Sequence, residues 1–251
     1  MKKVFYTFAL LAISLMSCES SSDDEPNIPD TSSILPTKVD IVYSDGETET
    51  IEYTYSNNTL IKEESSDGYY TDYIYENNLL TEINYYDGPD DEILESYTYD
   101  SQGRVSTITI NIIGVGDYEY NQTYSADNSV ITQSSITYPN TDPSTITISD
   151  GNITNSTEVS YYTSTNTYDN KNGIFKNVEL REQLVTIDYE NSNALNFTLN
   201  NLLSETIVEN STNQSENYSY TMTYTSFDYP RTVEENEDGD ITMYTYTYNN
   251  D

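Results

Sequence analysis

Thr242-Met243-Tyr244-Thr245-Tyr246-Thr247-Tyr248 alternates hydroxyl-bearing and aromatic side chains with a period of two. That period marks a strand with one face in and one face out, and Tyr and Thr both suit a pleated, half-buried surface. The aromatic face can pack while the hydroxyl face meets water. Tyr218-Ser219-Tyr220-Thr221-Met222-Thr223-Tyr224 repeats the pattern. With 27 tyrosines among 251 residues and no tryptophan or histidine, tyrosine is the residue from which a core has to be built. The Tyr-x-Tyr positions are therefore expected to be core.

Working outward, alignment on the second tyrosine of the Tyr-x-Tyr pairs puts anchors at Tyr55, Tyr75, Tyr99, Tyr124, Tyr224 and Tyr248, with Gln122 and Met222 in the first place of two of them, in steps of 20, 24 and 25 residues and, between the last two, 24. Turn residues follow at matching offsets: Asn57-Asn58 before Leu60, Asn77-Asn78 before Leu80, Gly103 before Val105, Asn200-Asn201 before Leu202. Asn and Gly tolerate the positive φ of tight hairpins. Asp-Gly pairs at 45–46, 67–68, 87–88, 150–151 and 238–239 are expected to close the other end of most units. Two turns per repeat of roughly 20–25 residues mean two strands per repeat. The expected fold is all-β: an up-and-down antiparallel meander forming a curved or half-barrel sheet.

The rhythm breaks between 174 and 187. Ile174, Val178, Arg181 and Val185, with Phe175 and Leu184 beside them, suit one short amphipathic helix with Asn172 as its N-cap; an irregular strand pair is the alternative. The positions facing away from the tyrosines are Thr, Ser, Asn, Glu and Asp, whereas a membrane-spanning barrel needs a lipid-facing apolar band. A spanning barrel is not expected.

Tyr97-Thr98-Tyr99-Asp100-Ser101-Gln102-Gly103-Arg104-Val105 resembles the YD repeat of Rhs-type surface proteins, and it is the one full match in the chain. Thr167-Tyr168-Asp169-Asn170-Lys171-Asn172-Gly173-Ile174-Phe175-Lys176-Asn177 resembles a stretch of uncharacterised Bacteroidetes lipoproteins, with Gly173-Ile174 in place of that group's Asn-Pro. The mature chain as a whole is similar to that group. The resemblance implies an outer-membrane lipoprotein domain of unknown function with a porin-like or half-barrel sheet, and brings no catalytic residues with it.

At the N-terminus, Lys2 and Lys3 precede an apolar run from Val4 to Met16. The run is well short of the ~20 residues that span a bilayer and reads as a secretory signal. Leu15-Met16-Ser17-Cys18 resembles a lipobox, which makes Cys18, the only cysteine, the lipidated first residue of the mature chain. Two or more acyl chains there give stable anchoring. The domains read as signal peptide 1–17, acidic flexible tether 18–37 and Tyr-rich β-repeat domain 38–251. The expected address is the outer membrane, lipid-anchored, either surface-exposed or facing the periplasm.

The chain carries 43 acidic and 9 basic residues, and loss of Lys2 and Lys3 with the signal takes the net charge from −34 to −36. Such a surface repels a phosphate backbone, which excludes nucleic acid. Without histidine, and with its one cysteine committed to lipid, the chain has no Ser-His-Asp or Cys-His nucleophile system and no His/Cys zinc site. No cofactor is expected. Asn236, Asp238 and Asp240 supply oxygen ligands for calcium but lack the spaced loop of a dedicated site, so a solvated Asp-Gly hairpin is the simpler reading; Asp87 to Glu92 invites the same comparison. The expected function is non-enzymatic: a lipid-anchored envelope protein presenting an acidic β-repeat surface to a glycan or protein partner. A glycan-binding accessory lipoprotein with exposed tyrosines is the alternative, and a carboxylate-dependent glycosidase a more remote one. Catalytic residues are none, and the one assigned modification site is Cys18.

Overall fold

The described residues run through sixteen antiparallel strands, each paired with its sequence neighbours: β1 (Pro36–Val42), β2 (Thr48–Ser56), β3 (Thr59–Ser65), β4 (Tyr69–Glu76), β5 (Leu79–Asp87), β6 (Asp90–Tyr99), β7 (Val105–Ile112), β8 (Gly116–Tyr124), β9 (Val130–Ser135), β10 (Ser144–Ser149), β11 (Asn152–Glu158), β12 (Tyr162–Tyr168), β13 (Leu202–Glu209), β14 (Ser215–Tyr224), β15 (Pro230–Glu237) and β16 (Asp240–Tyr248). A helix α1 (Arg181–Ile187) lies between β12 and β13. The computed structural model describes residues 31–87, 90–187 and 197–250; the expected signal 1–17, Cys18 and residues 19–30 lie outside them. The remaining residues expected in the tether belong to the β domain: Ile34 and Leu35 are buried and β1 begins at Pro36.

The expected meander is there, but the half-barrel is not. β1 pairs with β16 from Pro36↔Tyr248 to Val42↔Met243, closing the sheet into a barrel. Closure leaves no strand edge unpaired. It depends on a contact between residues some 200 positions apart, which no local repeat encodes.

Alternation sorts the side chains as the opening stretch predicts. Tyr244 and Tyr246 stand opposite Ile41 and Val39, and all four line the interior. Thr245 and Thr247 face outward with Asp40 and Lys38. The outer wall is held by polar cross-strand pairs such as Thr223 with Thr232 (2.6 Å) and Thr167 with Ser204 (2.6 Å).

Five tyrosines at or next to the ends of even-numbered strands share a further role. Tyr55, Tyr99, Tyr124, Tyr168 and Tyr248 each donate the hydroxyl to a carbonyl at the start of the preceding strand: Pro36, Leu80, Val105, Ile153 and Pro230, at 2.5–2.9 Å. A register shift falls beside most of these tyrosines, between Thr54 and Tyr55, Thr98 and Tyr99, and Thr167 and Tyr168 among others. The extra residue of a bulge re-aims the neighbouring side chain, here along the barrel wall. Tyr75 sits in the same position, but its buried hydroxyl has no partner among the described residues.

The described turns follow the sequence with two exceptions, one being Asn200-Asn201, which ends the long segment between β12 and β13 and has no positive φ. Asn57, Asn77 and Gly103 have positive φ in the hairpins after β2, β4 and β6, and Gly46, Gly68 and Gly239 in those after β1, β3 and β15. Asp150-Gly151 was expected with the latter group; it joins β10 to β11 and so falls at the opposite end, with the Asn turns.

That end is stoppered by the segment between β12 and β13. Helix α1 is shorter than the expected 174–187, because Ile174 to Leu180 form turns and Leu180 has a positive φ. Asn172 does not cap it; its backbone N–H and its side chain instead bond the carbonyls of Asp228 and Phe227. Gly173 is required by contact: a Cβ there would lie 2.4 Å from the carbonyl oxygen of Thr198. The segment fastens to the surrounding hairpins through Glu179 N–H to Asn58 O, Leu199 N–H to Gly151 O, Leu80 N–H to Gln183 Oε1, and Gln122 Nε2 to Thr186 O. Asn177 Nδ2 donates to the carbonyls of Thr31 and Ile34 (2.6 and 3.0 Å), so the chain enters the barrel at this same end.

A sixteen-stranded barrel usually leaves an aqueous lumen. Here Ile83, Tyr97, Ile108, Ile131, Ile146 and Ile153, from β5–β11, are buried in one core with Phe175, Val178, Leu184 and Val185 of the stopper. That arc is filled next to the stopper, and toward the rim it opens into a polar pocket of about 370 Å³ lined by Tyr120, Gln133, Ser144 and Glu158.

Candidate functional site

On the opposite arc the filling stops. Strands β1–β3 and β13–β16 enclose a cavity of about 510 Å³ whose floor is the stopper, through Ile174, Phe175, Phe197 and Asn201. Tyr43, in the turn after β1, marks its far extent toward the unstoppered end. Phe175 meets Tyr53 edge-on (ring centroids 5.1 Å apart) and packs against Phe197 (4.8 Å), fixing the base.

The wall combines aromatic rings with carboxylates. Tyr53, Tyr218, Tyr220, Tyr244 and Tyr246 line it with Glu49, Glu63, Glu205 and Glu235, and no Lys or Arg is among the lining residues. Bulges place two of these acids. The shift between Thr54 and Tyr55 puts Glu63 opposite Tyr53, and the shift between Thr223 and Tyr224 puts Glu235 opposite Tyr220.

Each acid is met by uncharged hydroxyls. Tyr73 donates to Glu63 (3.0 Å), Ser164 to Glu205 (2.6 Å), Tyr244 to Glu235 (3.0 Å), and Ser65 and Tyr43 to Glu49. Burial pushes the Glu63 carboxyl up to about 7, against the lowering effect of the Tyr73 hydroxyl. Burial also raises that of Glu235, with Glu237 and Glu205 adding repulsion. Burial likewise raises the Tyr246 hydroxyl, with both Glu235 and Glu63 adding repulsion.

In the floor, Asp169 binds the backbone N–H groups of Lys171 and Asn201, the Asn201 amide and the Tyr224 hydroxyl. The Tyr168-Asp169 stretch is thus the root of the stopper. Asn201, 4% exposed, spends its amide hydrogens on Asp169 and Asn172, and its Oδ1 has no partner among the described residues.

The unstoppered rim is apolar as well as acidic. Of twelve exposed large hydrophobic residues among those described, ten lie there, including Tyr69, Ile113, Val115, Tyr138, Val159 and Tyr161.

The sequence-predicted positions fare differently. Asn236 accepts a hydrogen bond from the Gly239 N–H within the β15–β16 turn, flanked by Asp238 and Asp240, and no group of three acidic, histidine or cysteine side chains among the described residues is arranged to hold a metal. Gly88 and Pro89, with the side chains of Asp90 to Glu92, lie outside what is described. The tyrosine ladders expected to be core are inward-facing, and several of them line the cavity. Glu63, Glu205 and Glu235 were not singled out in the sequence; their signal was acids on strands whose register only the bulges settle.

Fold and site together define a closed, stoppered antiparallel β-barrel with an acidic, aromatic cavity. No protein-family model matches the chain, and no curated protein matches it in sequence. Among solved structures, a porin-like protein from Bacteroides uniformis matches with a TM-score of 0.53 and 15% identity, over 85% of this chain and 96% of that one. A porin-like protein from Bacteroides vulgatus matches with a TM-score of 0.45 and 12% identity, over 86% and 99%. The first likeness is one of fold.

Proposed function

We propose that this chain is a non-enzymatic, lipid-anchored cell-envelope protein whose stoppered barrel works as a binding cup. The observation that carries the reading is the polarity of the outer wall together with the stopper. Thr, Ser, Asn and acidic residues outside give hydrocarbon nothing to solvate, so attachment falls to acylated Cys18. The stopper leaves a cavity with a floor in place of a through-channel. Thr31, from which the chain leads back toward Cys18, sits at the stoppered end; anchoring there turns the rim and cavity away from the membrane, toward a partner or ligand. The porin-like fold supports an outer-membrane address.

The test is metabolic labelling with a clickable fatty acid followed by fractionation. Wild type is expected to carry label and sediment with outer membranes, and Cys18→Ala to lose the label and become soluble. A Cys18→Ala protein that remains an integral membrane component would overturn the polar-wall reading.

A further inference from the structure

We propose that the cavity binds a small organic cation that carries N–H donors, an alkylammonium or a guanidinium, held by Glu63, Glu205 and Glu235 among tyrosine rings. The proposal deepens the cup reading and rests on it.

A half-buried carboxylate met by neutral hydroxyls alone retains part of its desolvation penalty, and a matching charge offsets it. The described cations lie elsewhere: Lys38 with Asp40 and Lys62 with Glu64 on the outer wall, Arg104 with Asp100 in a hairpin, Lys171 with Asp228, Lys176 with Asn172 and Arg181 with the Phe197 carbonyl in or beside the stopper, and Arg231 exposed on β15. None of the cavity acids has a cationic partner among the described residues. Aromatic rings add attraction for a cation over their faces, and Tyr246 stands on β16, which lies between β3 with Glu63 and β15 with Glu235 in the sheet. An anionic ligand meets four carboxylates and no counter-charge.

The floor narrows the class further. Asn201 lines the floor and its enclosed Oδ1 lacks a donor; a ligand N–H meets it once the side chain turns toward the cavity, and a missing hydrogen bond at a buried group is costly. An ammonium or guanidinium supplies N–H groups, whereas a quaternary ammonium does not. A volume of about 510 Å³ falls within the range of small-molecule sites.

The test is calorimetric titration of the full mature chain in detergent with three five-carbon probes of equal length: 1,5-diaminopentane, 1,5-pentanediol and glutarate. Diaminopentane is expected to bind at least tenfold more tightly than the diol, and glutarate not at all. Glu63→Gln and Glu235→Gln, near-isosteric changes, are each expected to weaken diaminopentane at least tenfold. Tetramethylammonium is expected to bind at least tenfold more weakly than methylammonium. If a substitution prevents folding, the wild-type protein alone decides, because its affinity for diaminopentane is expected to fall at least tenfold from pH 8 to pH 5 as Glu63 takes up a proton. Equal binding of the diol and the diamine, or full affinity in both variants, overturns the cation assignment and leaves the cup standing. Binding of none of the probes at 10 mM overturns both.

Discussion

The two arcs of the barrel interior are built from one strand pattern and end differently. Along β5–β11 aliphatic residues hold the part nearest the stopper, and Ile83, Ile108 and Ile146 are almost wholly buried. Along β1–β3 and β13–β16 tyrosines and glutamates take many of those places, and a cavity opens among them. Strand number does not decide whether a barrel is solid or hollow; the inward residue at each pair does. Aliphatic chains can interdigitate at crystal-like density, whereas carboxylates need room for partners.

The largest expected effect comes from damaging the solid arc. Ile146→Ala is expected to destabilise the barrel by about 2–5 kcal/mol, the cost of an emptied core site. Met222→Ala, on the cavity wall, should cost no more than about half as much, because its surroundings already border open space. Chemical denaturation of the two variants measures the difference, and equal losses would dissolve the distinction between the arcs.

Next comes the charge in the hollow arc. The Glu63 carboxyl rises from an ordinary 4.5 to about 7 on folding, so the folded chain binds the extra proton between those values. Its contribution to stability is complete below pH 4.5 and is lost as pH climbs through 7. Glu63→Gln is therefore expected to gain up to about 3 kcal/mol over wild type at pH 8 and nothing at pH 4. Thermal unfolding across that range checks the sign as well as the size.

A smaller effect separates two tyrosines at the stoppered end. Tyr99→Phe removes a hydrogen bond to the Leu80 carbonyl and is expected to cost about 1–2 kcal/mol. Tyr75→Phe removes a hydroxyl that lacks a partner and should be neutral or slightly stabilising. The smallest effect is expected at Arg104, which pairs with Asp100 at 2.6 Å and lies over the Tyr124 ring at 4.4 Å, both charged side chains being partly exposed. Arg104→Ala should cost less than about 1 kcal/mol, marking the full YD unit as a well-made hairpin and nothing more.

Much of the architecture was legible in the sequence. Tyr-Thr alternation fixed which face packs, and Asn57, Asn77 and Gly103 marked their turns. The acids of the cavity were not legible, and the reason is one of parity. Counting back from the Asn57-Asn58 turn without a bulge sets Lys62 opposite Tyr53; the extra residue brings in Glu63 instead. The same slip exchanges Glu234 for Glu235 opposite Tyr220. A single inserted residue flips every side chain beyond it to the other face, so the composition of the cavity depended on features that leave little trace in a periodicity. The stopper was half legible: its apolar residues stood out, while its turns followed from close contacts such as that of Gly173 with the Thr198 carbonyl.

The seam between β1 and β16 also bears on how such a chain can evolve. An open meander of repeats gains or loses a hairpin at its end with little consequence for the rest. Once the first strand pairs with the last, the number of units becomes a fixed count, because barrel diameter grows with strand number. One more hairpin would widen the ring that residues 169–187 and 197–201 have to fill, and one fewer would crowd it. Duplication, the cheapest way to lengthen a repetitive protein, is therefore closed to this chain unless its stopper changes in the same step.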